Sequence, residues 1–306
     1  MASKDDVPQP ARLIYQKGTH RVEYVDGKIV KSGENFKIYE ALSLIFINDN
    51  TKVPVPKVRS IHYEDKRLDV RYDEAGKSTN ILLENGKVFE RNLDKEGRPT
   101  WTHWENDRVD KITMDYMGGE ALDSVWEDFN KDQQDVLAGD LRLYVAELRK
   151  LKDTQIAALN DGPARIISDC QQLQEGGPFR SREEFNNFLR ENSMDMRRQA
   201  SWDDSSQEDD SSQDDDAPRR HEEFFFTHGD IVPRNIPVDG QGKITALVDW
   251  EFAGYYPKDW EYSRASRDPT PGWKDFLCTQ VFQDKEDWGC SEMKSRNVRS
   301  ADRSFY

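Results

Sequence analysis

Phe225-Phe226-Thr227-His228-Gly229-Asp230-Ile231-Val232-Pro233-Arg234-Asn235-Ile236 and, a little further on, Ile244-Thr245-Ala246-Leu247-Val248-Asp249-Trp250-Glu251 are the stretches whose reading decides the fold. The first apolar run reads as a buried strand. It delivers a turn that carries an imidazole, a carboxylate, a guanidinium and a carboxamide, and the second apolar run ends in two more acids. Polar groups at the ends of buried strands are costly without partners, and metal ions and phosphates are partners that suit this set. Between the two runs, Asp239-Gly240-Gln241-Gly242 reads as the turn of a hairpin, which would bring Asp249 back beside the loop that holds Asp230.

Phosphoryl transfer is one chemistry that needs these residue types. A carboxylate must orient the attacking hydroxyl and accept its proton, while carboxylate and carboxamide oxygens hold magnesium against the phosphates. Asp230 would be the base, Asn235 the carboxamide ligand and Asp249 the principal carboxylate ligand. Glu251 would either touch a second metal or close a local salt bridge. Each residue taken singly has an ordinary reading, since a lone Asp in a turn is most often a cap or turn former. The ordered constellation separates this stretch from a common turn.

His228-Gly229-Asp230-x-x-Pro233-Arg234-Asn235-Ile236, followed by Val248-Asp249-Trp250-Glu251-Phe252-Ala253-Gly254-Tyr255-Tyr256-Pro257 and Trp260-Glu261-Tyr262, resembles the catalytic segment of aminoglycoside phosphotransferase-like proteins, especially the group found in filamentous fungi. That family is related to choline kinases. The resemblance implies an α+β, protein-kinase-like bilobal fold, with a small N-terminal antiparallel-sheet lobe over 13–117 and a larger, mainly helical C-terminal lobe over 118–293. It implies ATP and Mg2+ as cofactors and a small-molecule hydroxyl as acceptor. Asp230 would be the catalytic base, Asn235 and Asp249 the magnesium ligands, and His228 and Arg234 would shape the catalytic loop. Fold does not dictate activity. A catalytically silent nucleotide-binding or scaffold protein, and a biosynthetic enzyme using the same cleft for other chemistry, stay open beside the kinase reading.

Upstream, residues 1–12 are polar and read as a flexible start. Thr19 to Val25, the turn Asp26-Gly27, and Lys28 to Lys31 read as a hairpin. A helix is predicted from Asn35 to Asn48, where Phe36, Tyr39, Leu42, Leu44 and Ile45 recur at roughly helical spacing, and Val53-Pro54-Val55-Pro56 should end it and open a strand. In the resembled family the end of the hairpin supplies a lysine to the nucleotide phosphates, braced by an acid on the next helix. Lys31 and Glu40 match best, with Lys28 and Glu34 as the second choice. No glycine fingerprint or Walker pattern is present, because Gly18, Gly27 and Gly33 are too scattered to form one. Ile81 to Phe89 reads as two short strands around Asn85-Gly86, with loop at 94–98. Lys111 to Met117 reads as a strand entering Gly118-Gly119, and resembles the family's hinge, where backbone at Asp115, Tyr116 and Met117 would meet the purine.

Further on, a short helix capped by Asp123 or the glycine turn is predicted. Val136, Leu137, Leu141, Tyr144, Val145, Leu148 and Leu151 then mark a core helix over 132–153. Ser181-x-x-Glu184 looks like a capping box for a helix to Arg190. The block 201–217 is serine and acid without a basic residue, which predicts a disordered insertion. Ser205, Ser206, Ser211 and Ser212 each have an acid three residues on, so phosphorylation there is the alternative to a plain loop. The aromatic run Phe252 to Tyr262 reads as packing behind Asp249, with a cation-binding aromatic box through Trp250 and Trp260 as the second possibility. Residues 294–306 read as a polar tail.

At 306 residues the chain suits one large domain or two lobes. Hydrophobic content is only 35%, but eight Trp and an aromatic fraction of 11% supply a core. A formal net charge of −15 argues against a nucleic-acid surface. It suits polycationic acceptors, and is equally the ordinary surface of a soluble acidic protein. Three cysteines, Cys170, Cys278 and Cys290, form neither a disulfide framework nor a metal spacing. No secretory or membrane-spanning run is evident, so a soluble cytoplasmic protein is expected.

Overall fold

In the computed structural model of the protein, which describes residues 11–64, 66–84, 87–93, 95, 98–103, 108–168, 172–192 and 222–283, the chain opens with an antiparallel meander. β1 (Arg12–Lys17) pairs with β2 (His20–Val25), and β2 pairs with β3 (Lys28–Lys37). Asp26 and Gly27 have φ of 49° and 73°, both in the left-handed region that a tight two-residue hairpin requires. β4 (Val58–Tyr63), β5 (Lys66–Asp69) and β9 (Arg108–Asp115) complete a six-stranded sheet in the order β1-β2-β3-β9-β4-β5. The expected end of the hairpin at Lys31 is therefore too early. β9 is long enough to keep offering backbone partners, so after an irregularity between Ser32 and Phe36 the ladder resumes at Phe36 opposite Val109 and Lys37 opposite Arg108.

Helix α1 consequently spans Tyr39–Asn50 rather than starting at Asn35. Phe36, expected on the helix, belongs to the strand. Tyr39 to Ile45 are all buried, as is Ile47, so α1 is enclosed by the N-terminal lobe and not merely laid on it. Its C-terminus ends in an extended Thr51. The prolines keep 51–57 out of any ladder, and the strand expected at Val53 begins at Val58.

The segment between β5 and β9 adds a second sheet of β6 (Ile81–Glu84), β7 (Lys87–Leu93) and β8 (Pro99–His103). β8 was not foreseen. Val88 is fully buried and donates its N–H to Asn160 Oδ1 at 2.9 Å, which ties this sheet to the C-terminal lobe.

In that lobe, β10 (Glu120–Ala121) leads into α2 (Leu122–Val125), whose N-cap is Ala121 without a side-chain bond, not Asp123. α3 (Lys131–Leu148) starts at a reciprocal capping box between Asn130 and Gln133. It buries Leu137, Leu141, Tyr144, Val145 and Leu148, whereas Val136 is exposed and Leu151 lies past its end. β11 (Lys152–Asp153), β12 (Ala164–Ile167), β13 (Leu173–Gly176) and α4 (Arg182–Glu191) follow. Ser181 caps α4 by accepting from Glu184 N–H, while Glu184 reaches back to the N–H of Arg180, one residue before the cap. β14 (Phe224–Thr227) runs between β11 and β16 (Gly254–Tyr256), and β15 (Pro237–Val238) pairs with β10. α5 (Trp260–Ala265) follows, and α6 (Trp273–Phe276) packs Trp273 and Phe276 against Trp126. The result is a bilobal α+β fold with a sheet-rich N-terminal lobe and a helical C-terminal lobe. Among the described residues no helix is long and apolar enough to cross a membrane. The acidic block 201–217, the serines within it, Cys170, Cys290 and the tail 294–306 lie outside the described residues.

The lobes meet closely at Gly162, where a Cβ would come within 2.3 Å of the ring of buried Tyr39. Gly162→Ala should therefore destabilise the protein by about 1–3 kcal/mol through overpacking. A urea melt within a few tenths of a kcal/mol of wild type would show that the lobes do not depend on this contact.

Candidate active site

β14 ends in His228-Gly229-Asp230, and the ends of that loop are held from behind. Glu261 on α5 is buried and accepts the backbone N–H of His228 at 2.6 Å and of Gly229 at 3.0 Å. Gly229 has a φ of 78°, and a Cβ there would sit 2.6 Å from the carbonyl oxygen of Phe252, so two reasons exclude a side chain. His228 is completely buried and lies against Trp250, ring centroids 4.4 Å apart. Its Nδ1 accepts the N–H of Asp230 at 3.2 Å, which leaves the proton on Nε2 to be donated to the carbonyl of Val248 at 3.0 Å. Burial pushes this imidazole below its ordinary pKa, in keeping with a neutral ring. Both ring nitrogens are thus spent, Nδ1 within its own loop and Nε2 on joining it to the second.

Asp230 Oδ2 accepts from Arg234 at 2.7 Å and from the carboxamide of Asn235 at 2.9 Å. Asn235 also donates to the carbonyl of Asp230 at 3.0 Å. Both partners are acceptors, so the amino end of Asn235 must face Asp230, and Oδ1 is the end turned away. Arg234 continues to Asp268 at 3.3 Å.

The expected second strand does not form. After a bridge between Val238 and Ile244, Thr245 donates to the carbonyl of Pro237 and Val248 to that of Asn235, but Leu247 donates across the lobes to Pro54. This alternation of partners prevents a regular ladder and carries the chain to Asp249 in the left-handed region, φ 68°. Such a conformation is strained for a residue other than glycine.

Lys31, on β3, reaches Asp249 Oδ1 at 2.6 Å and Glu40 Oε1 at 2.7 Å. Burial opposes the lysine's charge, but the two carboxylates outweigh it and hold the amine above its ordinary pKa. Burial likewise opposes the charge of Asp249, and Lys31 overrides it, so that carboxyl is held below its ordinary range. Glu40 is buried with Oε2 unpartnered among the described residues, and burial pushes it up to about 7. Lys28 and Glu34, the second choice from sequence, are exposed. The structure therefore brings together Lys31, Glu40 and Asp249 as one group, and Asp230, Arg234 and Asn235 as another, with His228 joined to both loops.

At the expected hinge, Asp115 donates its N–H to Lys57 and its carboxylate takes both Arg59 nitrogens at 2.7 and 2.5 Å. Tyr116 donates its N–H to Gly27 and lies edge-on to Tyr24. Two of the three hinge amides are thus already committed; that of Met117 has no partner among the described residues. Trp250 is fully buried with its indole N–H on the carbonyl of Leu247, so it is a core residue and not the wall of an aromatic box.

Among the described residues no group of three or more His, Cys, Asp or Glu side chains could hold a metal. A carboxylate and a carboxamide oxygen still fit magnesium, which keeps several waters and uses phosphate oxygens as ligands.

Two further residues had gone without a role. Arg165 on β12 is buried, donates to the carbonyl of Glu251 at 2.7 Å and to Glu175 at 2.9 Å, and lies between the rings of Tyr39 and Phe252. It steadies the chain two residues after Asp249, and Glu251 Oε2 stands 3.7 Å from it, which favours the local salt bridge for that acid. A single charge inside the apolar run Ala164 to Ile167 was its only sequence signal. Glu261 stood inside the quoted motif but drew no attention as a brace.

Burial pushes the Glu261 carboxyl up to about 7, against the opposing pull of its two backbone N–H donors. Between the ordinary pKa of a glutamate and about 7 the folded protein holds a proton that the unfolded chain releases, so this contribution is present at low pH and is lost as pH rises through the window. The melting temperature should fall from pH 5 to pH 7.5, and more steeply in wild type than in Glu261→Gln. Parallel slopes by calorimetry would reject this titration.

No curated protein matches the chain. Among solved structures, the ternary complex of streptomycin, ATP and APH(2″)-IIa superimposes with a TM-score of 0.50 at 11% identity, covering 96% of this chain and 83% of that one. A mutant of aminoglycoside 2′-phosphotransferase-IIIa in complex with GDP gives 0.51 at 12% identity, covering 95% and 81%. At such identities the likeness is one of fold. Residues 111–290, more than half of the sequence and inclusive of both polar loops, match the phosphotransferase enzyme family, and the chain belongs to that family.

Proposed function

We propose that the protein transfers the γ-phosphoryl group of ATP, in the presence of magnesium, to the hydroxyl of a small molecule. The observation that carries this reading is the joining of Lys31, Glu40 and Asp249 across the lobes, beside a loop in which Asp230 is oriented by Arg234 and Asn235. The closer kinship with the fungal group and with choline kinases rests on the His228–Asn235 and Val248–Pro257 motifs alone.

In this mechanism Asp230 Oδ2 is occupied by Arg234 and Asn235, which leaves Oδ1 to face the acceptor hydroxyl. As the acceptor oxygen bonds to the γ-phosphorus and the bond to the ADP oxygen breaks, the hydroxyl proton passes to Asp230 Oδ1. Lys31 would turn its amine to the phosphates, and Glu40 would keep the lysine in the cleft. Asp249 and Asn235 Oδ1 would hold the magnesium, which when bound neutralises phosphate charge. His228 and Arg234 act through the loop and not on the transferred group. The purine would meet the hinge at Met117.

A catalytically silent nucleotide-binding protein is the competing reading, favoured by one observation. β1 and β2 are joined by a two-residue turn with Gly18 as its single glycine, so there is no glycine-rich loop to close over phosphates. A screen of metabolite extract with labelled ATP separates the two: label in a small molecule supports transfer, while nucleotide binding without any labelled product supports the silent reading.

Asp230→Asn should keep the fold and Mg–ATP binding while lowering turnover by roughly 10²–10⁴. Asp249→Asn should weaken metal-dependent nucleotide binding as well as turnover. Melting curves, calorimetry and steady-state rates on both variants check this. Near-wild-type turnover in well-folded Asp230→Asn would reject the mechanism.

A further inference from the structure

The cleft-facing side of the N-terminal sheet can be followed outwards from Lys31. Paired residues of antiparallel strands present their side chains to one face, and every second residue of a strand returns to it. Lys31 lies opposite Val22, Val22 opposite Tyr15, and two residues nearer the β1–β2 turn His20 lies opposite Lys17. Lys17 and His20 therefore share the face from which Lys31 reaches Asp249. The contacts of His20 agree. Its ring lies edge-on to buried Phe36, centroids 6.1 Å apart, and a Cβ on Gly33, two residues after Lys31, would meet it at 3.4 Å. The alternate residues of β2 turn the other way, where Arg21 pairs with Glu23 at 2.6 Å.

Both Lys17 and His20 are exposed, and among the described residues neither side chain has a hydrogen bond or ion pair. Two residues of strand cover about 7 Å, so the pair stands that far along the sheet from Lys31. In the opposite direction the same face leads to Tyr24, opposite Ile29 and in edge contact with Tyr116 of the hinge. From hinge to turn the order is thus Tyr24, then Val22 with Lys31, then His20 with Lys17. A nucleotide whose purine meets the hinge lays its base, inner phosphates and outer phosphate in that order. The turn itself, Gly18-Thr19, is too short to wrap phosphates in backbone amides, so any contact at its level falls to side chains. An ammonium is a compact charge for phosphate oxygens, and an imidazole adds an N–H donor. Gly33 leaves the space beside them free of a third side chain.

We propose that Lys17 and His20 form a side-chain clamp on the terminal phosphate of the nucleotide, in place of a glycine-rich loop, and that they make the site favour triphosphate over diphosphate. The inference rests on the phosphotransferase reading for the identity of its ligand. It also answers the observation that favours the silent reading: the donors missing from the backbone of the turn are supplied by the residues on either side of it.

The test titrates a non-hydrolysable ATP analogue and ADP, each with magnesium, into the full chain and into K17Q, H20Q and K17Q/H20Q by calorimetry. The triphosphate should bind roughly tenfold more weakly to the double variant and about threefold more weakly to each single one, the loss expected for charged and polar contacts. ADP affinity and melting temperature should stay at their wild-type values. A well-folded double variant that keeps the wild-type ratio of triphosphate to diphosphate affinity overturns the clamp. An equal loss for both nucleotides overturns it too, because the two residues would then act on the base or on the fold. If H20Q melts early through its contact with Phe36, K17Q decides by the same ratio. Inorganic triphosphate, which needs no purine site, keeps the clamp and the reading beneath it apart. Inorganic triphosphate that binds wild type but not K17Q/H20Q, without any nucleotide binding, removes the phosphotransferase reading and leaves an anion clamp. Nucleotide binding indifferent to both residues removes the clamp alone.

Discussion

The contact on which the rest of the structure depends is a single lysine held by two acids from different parts of the chain. Lys31 comes from a strand of the N-terminal lobe, Glu40 from the helix behind that strand, and Asp249 from a loop 218 residues away. Taking an amine out of water costs several kcal/mol after relaxation unless opposite charges replace the hydration. The two carboxylates provide that replacement, which is why the lysine stays charged and the lobes are held in register at this point. Burial pushes Glu40 up to about 7, so its charge is only partly developed at neutral pH, and its Oε2 has no partner among the described residues. The arrangement is therefore paired but not saturated. Groups left in that condition in a cleft fit a site that awaits further ions better than one built for stability alone.

The geometry at Asp249 has to be imposed from outside, because its left-handed backbone costs about 1–3 kcal/mol for a residue with a side chain. Three constraints share the task. Val248 is fixed on both sides, by its N–H to Asn235 and by its carbonyl to His228. Leu247 is tied to Pro54 in the other lobe, and Arg165 grips the carbonyl of Glu251 just beyond. On the opposite loop, Glu261 fixes the amides of His228 and Gly229. His228 links the two systems, and the tautomer its neighbours require makes it a structural connector with no nitrogen left for proton transfer.

Much of this was legible in the sequence because the polar turn follows an apolar run so abruptly. The strand at Phe224–Thr227, the hairpin at Asp26-Gly27, the core helix beginning near Lys131 and the family itself all follow from local signals: turn-forming pairs, helical periodicity and an ordered motif. What failed was what non-local pairing decides. Phe36 fits a helical period and a strand period equally well, and only the length of β9 assigns it to the ladder. The run Ile244 to Val248 is apolar enough for a strand, yet its donors divide between lobes, which no local pattern records. Arg165 carried a weak signal because one arginine in an apolar run does not reveal whether it faces solvent or two aromatic rings. The third strand of the inserted sheet, Pro99–His103, begins with proline and is rich in polar residues, so neither composition nor alternation marked it.

Net charge offers a last lesson in scale. A chain at −15 repels polyanions from a distance, but exposed charges separated by more than about 8–10 Å at physiological salt are largely screened from one another. What a ligand meets on contact is set by the few groups within that range. Around this cleft Lys31 stands between its two acids, and Arg234 between Asp230 and Asp268. The surrounding acidity then acts as a filter on encounter and leaves the sign of the bound group to local geometry. In the proposed reading an anionic nucleotide would be held there through short, oriented contacts. Arg234 suits its place beside Asp230, since the planar fork loses less freedom per hydrogen bond formed than a flexible ammonium does.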